Sequence, residues 1–360
     1  MSNRKTIFVG MSGGVDSSVS AYLLKRQGYN VIGVFMRCVN IDGCAEADAE
    51  DARRVAGQLG IPFYVWDFEK EYEARVVQYM LDGYRAGITP NPDVMCNREV
   101  KFGLFLEKAI QLGADGIATG HYVRKVKKSG RWFLQAAVDT EKDQSYFLWT
   151  LTSEQIGFAH FPIGEYKKSE VRAIAKKAGL YTAEKKDSQG ICFLGKISLG
   201  DYLKTKLPMK AGAIVTTTGQ TIGTHDGSWF YTIGQRHGLN LQDKQHRTGI
   251  RGNHETGIHY VAAKDITTNT IVVAEGGDNP ALYHTQILLS DSNLGFLDAQ
   301  ILCARVRYRQ PVSEAQLVRS GKKIRLIFTN PQKFVAIGQS VVVYDKEGLV
   351  YGGGIIQETQ

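Results

Sequence analysis

Two of the chain's five cysteines stand in polar loops rather than in apolar periodic segments, and reactive thiols need such settings. Cys96 closes the string Asn91-Pro92-Asp93-Val94-Met95-Cys96, near an expected helix start, where the helix dipole favours a thiolate. Cys192 lies in Asp187-Ser188-Gln189-Gly190-Ile191-Cys192-Phe193, a loop of small residues preceded by Lys185 and Lys186, whose charges would also favour a thiolate. One thiol carrying a sulfur atom while a second attacks it, leaving a disulfide, is a coherent pairing. No Cys/His cluster has zinc spacing, so a metal centre of that kind is not expected. Cys38, Cys44 and Cys303 read as small buried hydrophobes.

A second chemical signal is Gly10-Met11-Ser12-Gly13-Gly14-Val15-Asp16-Ser17-Ser18, between a strand and a helix. Small residues let backbone N–H groups close around phosphate oxygens, and the helix N-terminus adds partial positive charge. The Walker lysine and the GxGxxG fingerprint are both absent, so neither a P-loop NTPase nor a dinucleotide fold is indicated. SGGVDSS resembles the pyrophosphate-binding loop of the PP-loop ATP pyrophosphatases, which cleave ATP between the α- and β-phosphates. Asp16 is a candidate Mg²⁺ ligand, because Mg²⁺ favours carboxylate and phosphate oxygens. Met36, at a strand end, could pack on adenine, and Gly120 could let the backbone approach the nucleotide closely.

These groups need a rigid frame, and residues 1–120 alternate strand and helix patterns, as a parallel sheet covered by helices requires. Strands are expected at 6–9, 31–36, 63–68 and 115–119, and helices at 15–27, 45–59, 69–84 and 99–112. Farther on, 132–138 reads as an edge strand and 168–179 as an amphipathic helix. Beyond about residue 200 short strands dominate, among them 214–217, 230–233, 260–263, 271–274, 301–309, 324–329, 340–344 and 352–357. The fold class expected is an α/β parallel-sheet domain (1–200), a small, mostly β central domain (201–275) and a C-terminal antiparallel β-barrel (276–360).

Taken together, SGGVDSS, TPNPDVMCN, ATGHYV, KDQSYFL, KDSQGICF and GGGII stand in the order and approximate spacing of the tRNA-specific 2-thiouridylases, and the chain resembles that family from Phe8 to Ile356. The resemblance implies a PP-loop domain, a small central domain and a β-barrel. It also implies a reaction in which ATP adenylates O2 of the wobble uridine and a cysteine persulfide then delivers sulfur, releasing AMP. Carried over by motif, Cys192 would bear the persulfide and Cys96 would attack it, leaving a transient Cys96–Cys192 disulfide. Asp93 would act on the target base, with Asn91 and Pro92 lining its pocket. Gly10, Met11, Ser12, Gly13, Gly14, Val15, Asp16, Ser17, Met36 and Gly120 would hold ATP. His121, Lys142, Asp143, Gln144, Arg307, Tyr308 and Gln339 would contact tRNA. A sulfur donor, either a cysteine desulfurase or a relay protein, is implied as partner. Ile337 stands where relatives often carry proline, one departure from the pattern.

Charge agrees with a polyanionic partner. Lys and Arg total 44 against 36 Asp and Glu, a formal net charge of +8. The excess is clustered: Val123–Phe133 holds Arg124, Lys125, Lys127, Lys128 and Arg131 without an acid. An odd cysteine count without CxxC, no signal-like N-terminus and no long apolar run suggest a cytoplasmic protein away from membranes. Two other function classes fit parts of the pattern. A PP-loop C–N ligase would need no cysteine pair, and a non-catalytic RNA-binding protein would keep the glycine loop for structure alone.

Overall fold

The computed structural model describes residues 4–39, 43–187, 197–241, 257–294, 301–321 and 323–360. The chain forms two compact units: Met1–Gln78, Pro92–Lys196 and Tyr344–Gly352 in one, Tyr79–Asn91, Ile197–Val343 and Gly353–Gln360 in the other.

In the first unit β1 (Thr6–Gly10) leads to α1 (Val15–Arg26), β2 (Asn30–Arg37), α2 (Cys44–Leu59) and β3 (Phe63–Asp67). A helical run follows: α3 (Glu69–Tyr72), a π-helical stretch (Glu73–Val77) and α4 (Gln78–Arg85), the last continuing into the second unit. A second run comprises α5 (Pro92–Met95), a π-helical stretch (Cys96–Leu104) and α6 (Phe105–Gln111). Then come β4 (Gly116–Ala118), β5 (Val123–Lys128), β6 (Arg131–Ala136), α7 (Ser153–Phe158), β7 (Ala159–His160) and α8 (Lys168–Lys177). The sheet order is β3-β2-β1-β4-β7, and every pairing in it is parallel.

The alternation along β1 explains how two layers of helix are held. Ile7 and Val9 join Val15, Val19, Val55 and Val171 in one core, which sets α1, α2 and α8 on one face. Phe8, pointing the other way as strand geometry demands, meets Trp66 at 5.8 Å, and Trp66 meets Phe105 of α6 at 5.6 Å. Burying each such side chain contributes about 1.5–3 kcal/mol.

In the second unit α9 (Leu199–Lys206) is capped by Ser198, whose hydroxyl accepts from the Asp201 N–H at 3.1 Å. A mixed sheet follows, of β8 (Gly212–Thr216), β9 (Thr221–His225), β10 (Asn240–Leu241), β11 (His259–Asp265) and β12 (Thr270–Glu275), ordered β10-β9-β8-β12-β11. Its core is Ile214, Val261, Ile271 and Val273. The remaining strands are β13 (Tyr283–Ser290), β14 (Ile301–Arg305), β15 (Ser313–Ser320), β16 (Lys323–Lys333), β17 (Ser340–Tyr344) and β18 (Leu349–Thr359). They run β13-β16-β15-β14-β17-β18, and β13 pairs again with β18, closing a barrel without free edges.

Four expectations differ from the structure. The helix expected at 99–112 begins at Pro92, because proline is tolerated in a first helical turn. Residues 132–138 are not at an edge: β6 pairs with β5 on one side and, through Leu134 and Gln135, with Val350 and Leu349 on the other. A pairing partner two hundred residues away leaves no local signal. Residues 230–233 are not a strand, since Ser228–Phe230 is a 3-10 turn. The strand at 301–309 stops at Arg305, and Arg309 takes a left-handed φ of 66°.

Candidate active site

In the order β3-β2-β1-β4-β7 the chain winds outward to one side of β1 and then returns to β4 on the other. The crevice beyond the carboxyl ends of β1 and β4 is where an open α/β sheet binds its ligand. Gly10–Ser17 follows β1, Gly120 and His121 follow β4, and Met36 ends β2, so the expected nucleotide residues of this unit share one sheet edge.

The loop between β1 and α1 is tightly specified. Ser12 N–H donates to Ser17 Oγ at 3.1 Å, and the Ser17 and Ser18 hydroxyls donate to the Gly14 carbonyl at 3.2 and 2.8 Å. Thr182 Oγ1 donates to Ser18 Oγ at 2.9 Å. Gly13 has φ +73°, and the Asp48 carbonyl oxygen occupies the place a Cβ would take. At Gly120 a Cβ would stand 2.7 Å from Ser17 N, so only glycine lets this loop lie against the start of α1. Met11 and Val15 turn their side chains into the core, and Met36 Cε lies 2.9 Å from the Cβ position of Gly10. Helix α1 has Gly14 as N-cap and no side-chain cap hydrogen bond. Its first-turn N–H groups, which no helical carbonyl can serve, are thus left for an anion.

Asp16, in that first turn, is the centre of a charged network. Its carboxylate accepts from Lys168 Nζ at 2.7 and 2.8 Å and from the Tyr122 hydroxyl at 2.8 Å. Lys168 also pairs with Asp187 at 2.8 Å, and Asp187 takes Arg172 at 2.8 Å and Lys142 at 3.1 Å. Lys168 opens α8, where a positive charge opposes the helix dipole, so the two carboxylates are what hold it there. Burial, then the charge of Asp16, raises the Tyr122 hydroxyl far above the ordinary tyrosine range and keeps it a donor.

For Asp187, burial alone would raise the carboxyl, but hydrogen bonds from Lys168 and Lys142 outweigh it and hold the group at about 2. The folded value lies below the unfolded one of about 3.9, so this carboxylate contributes stability that is fully present above the unfolded value and is lost as pH falls toward about 2. The stability gap between wild type and Asp187→Asn in urea unfolding is therefore expected to shrink on acidification from about pH 6 to about pH 2.5. A gap of constant size would contradict this assignment.

Asp93 is the second residue of α5 and lies in its first turn, where an acid suits the dipole. Cys96, 4% exposed, follows directly, at the start of the π-helical stretch, a distortion frequent at functional sites. The α5 segment packs on the 3-10 turn Ser145–Leu148, and Asn97 Nδ2 donates to the Phe147 carbonyl at 3.2 Å. That turn is held by Asp143, which is buried and accepts from Ala137 N–H at 3.0 Å and Ser145 Oγ at 2.8 Å. Gln144 Oε1 accepts from Tyr122 N–H at 2.9 Å. His121 is buried, with Nδ1 2.8 Å from Thr119 Oγ1 and its ring 5.9 Å from Phe102. Burial, then Lys101, keeps its imidazole neutral, well below the usual histidine range.

Lys185, expected to favour a thiolate at Cys192, pairs with Asp48 and Asp51, each at 2.7 Å. Cys192 itself lies outside the described residues. Tyr122, Lys168, Arg172 and Asp187 were not among the expected site residues. Tyr122 and Asp187 stand inside ATGHYV and KDSQGICF, but nothing local marks Lys168 or Arg172 among the other lysines and arginines.

In the second unit the turn at 337–339 lies against Thr89–Asn91. Thr89 N–H donates to the Ile337 carbonyl at 2.8 Å, and Gln339 Nε2 donates to the carbonyls of Thr89 and Pro90 at 3.0 and 3.1 Å. Asn91 Nδ2 lies 3.5 Å from Gln339 Oε1. Gln339→Ala leaves these two carbonyls without that donor, so a loss of about 1–3 kcal/mol in unfolding free energy is expected in denaturant titrations. A variant as stable as wild type would show that water replaces the amide. Arg307 and Tyr308 lie in the turn after β14, with Arg307 Nη1 3.5 Å from the Ile233 carbonyl and the Arg309 guanidinium 5.3 Å from the Tyr308 ring centroid.

The family model for the tRNA methyl transferase HUP domain matches residues 5–196, that for the tRNA methyl transferase PRC-barrel domain residues 200–275, and that for the Aminomethyltransferase beta-barrel domain residues 292–356. The tRNA-specific 2-thiouridylase MnmA of Pseudomonas aeruginosa is 45% identical over 368 residues, covering 99% of this chain and 96% of the relative. Its namesake from Bacillus licheniformis is 46% identical over 365 residues, covering 97% and 94%. Matches of this length and identity, on a parallel sheet that carries SGGVDSS at its switch point, mean that the chain belongs to the tRNA-specific 2-thiouridylase family.

Proposed function

We propose that the protein uses ATP to activate O2 of a uridine in tRNA and then replaces that oxygen with sulfur. What carries the reading is the first turn of α1: uncapped, set at the switch point, pressed by Gly120 and adjoined by Lys168 on Asp16. Such a turn accepts a pyrophosphate through backbone N–H groups. Mg²⁺ suits the hard oxygens of the Asp16 carboxylate, together with the nucleotide's own phosphate oxygens. Its role there is to offset phosphate charge.

Uridine O2 attacks the α-phosphorus, the bond to the β-phosphate oxygen breaks, and pyrophosphate leaves. Asp93 serves the base as hydrogen-bond partner or proton carrier, beside Asn91 and Pro92. Cys192 holds the sulfur as a persulfide charged by a donor protein. The Cys96 thiolate attacks the Cys192 sulfur, the S–S bond breaks, and hydrosulfide departs with the electron pair. Hydrosulfide adds at C2, AMP leaves with the former O2, and the Cys96–Cys192 disulfide awaits reduction by an external thiol.

The domains divide the work as residues 1–200 for ATP, 201–275 for tRNA contact and 276–360 as the barrel, with His121, Lys142–Gln144, Arg307, Tyr308 and Gln339 at or supporting the RNA surface. Incubating tRNA with the protein, Mg²⁺-ATP, cysteine and a desulfurase, followed by mass spectrometry of the nucleosides, tests the proposal. Formation of 2-thiouridine together with AMP and pyrophosphate is expected; ATP cleavage without thiolated nucleoside would point to a different acceptor.

A further inference from the structure

The tip of the β5–β6 hairpin carries charge that no carboxylate among the described residues neutralises. Its turn, Ser129 with φ 49° and Gly130 with φ 79°, has the two positive φ values of a two-residue primed turn. Lys127, Lys128 and Arg131 are exposed there, and among the described residues no carboxylate pairs with any of them. Lys128 and Arg131 are directly opposed across the ladder. Like charges in that position weaken a hairpin, and a non-glycine residue in the left-handed region adds strain. An anion beside the tip would offset the opposed pair.

The base of the hairpin, by contrast, is anchored. Lys125 Nζ donates to the Gly157 carbonyl at 3.0 Å near the end of α7, and Trp132 N–H donates to Ser153 Oγ at 2.8 Å. The Trp132 ring lies under two ammonium groups, Lys125 at 4.8 Å and Lys127 at 5.5 Å from its centroid. Cross-strand partners share a face and neighbours along a strand alternate. Lys127 and Trp132 are therefore on one face of the ribbon, and Lys128 and Arg131 are on the other. A flat acidic protein surface would meet one face only. Two rows of phosphates flanking a groove meet both.

We propose that this hairpin enters a groove of the tRNA, with Lys127 against one phosphate row and Lys128 and Arg131 against the other. The proposal rests on the tRNA reading above and adds the element that grips the RNA backbone away from the reacting base. Its test is the salt dependence of tRNA binding by the full-length protein, for wild type, Lys127→Ala, Lys128→Ala, the pair Lys128→Ala with Arg131→Ala, and all three together. Each lost phosphate contact should flatten the log–log salt slope by about 0.7–0.9 and weaken binding on the order of tenfold near 0.1 M salt. Both single-face variants should lose affinity, and Lys128→Ala should melt no lower than wild type, since it relieves the opposed pair. Loss from one face alone overturns the groove arrangement. Unchanged slopes in every variant, with tRNA still bound, overturn the proposal and leave the tRNA reading intact. Wild type failing to bind tRNA removes both. Wild-type RNA binding with slowed sulfur delivery from a donor protein assigns the hairpin to that protein instead.

Discussion

Replacing Cys96 or Cys192 with serine is expected to end tRNA thiolation while tRNA-dependent release of pyrophosphate from ATP continues. In the proposed reaction, adenylation of the uridine precedes sulfur delivery and needs neither sulfur atom. In the proposed relay the delivery step needs both, one as carrier and one as attacking thiolate. Groups that act as a unit lose nearly everything when one is removed, so each single variant should fall by roughly 10³-fold or more, and the double variant little further. Serine keeps the size of the buried Cys96 side chain but not its nucleophilicity, because a hydroxyl is not ionised near neutrality. Cys38→Ser and Cys303→Ser are the controls and should turn over normally. Single-turnover assays that quantify 2-thiouridine and pyrophosphate in the same sample separate the two steps. Thiolation at the wild-type rate in either Cys96→Ser or Cys192→Ser would remove the sulfur relay from consideration.

Asp16→Asn should do the reverse: lower ATP cleavage while tRNA is still bound. Asparagine can still accept from the Tyr122 hydroxyl, so the fold around the network is kept, but it lacks the charge that holds Lys168 at the loop. Losing one preorganised electrostatic group at a developing charge typically costs about 10²–10³-fold in turnover. Asp16→Ala should be worse, since it also strands the Tyr122 hydroxyl, at about 1–3 kcal/mol. Pyrophosphate release and tRNA affinity, measured on the same preparations, decide the matter. Weakened RNA binding with unchanged ATP use would move Asp16 out of the nucleotide site.

Both experiments address residues visible in the sequence, for different reasons. SGGVDSS carries its chemistry locally: glycines and serines in consecutive positions become a phosphate loop once a strand precedes them and a helix follows. The same holds for the alternation of strands and helices up to residue 120, because apolar periodicity is written over a few neighbouring residues. The family strings extended that local reading to Asp93, Cys96 and Cys192.

Contacts between distant segments could not be read in that way. Lys168 lies 152 positions from Asp16, and its role depends on how α8 packs against α1. Lys185 bonds Asp48 and Asp51, partners more than 130 positions away that its own neighbours do not announce. Trp132–Val138 looked like an edge until the strand from Leu349 onward took its place beside it. Asp143 and His121 are polar residues whose burial only packing reveals. Loop composition and periodic elements are properties of near neighbours and were legible in the order of residues. Which charge meets which, and which strand lies at an edge, depends on segments a hundred or more residues apart, so only the folded chain could decide it.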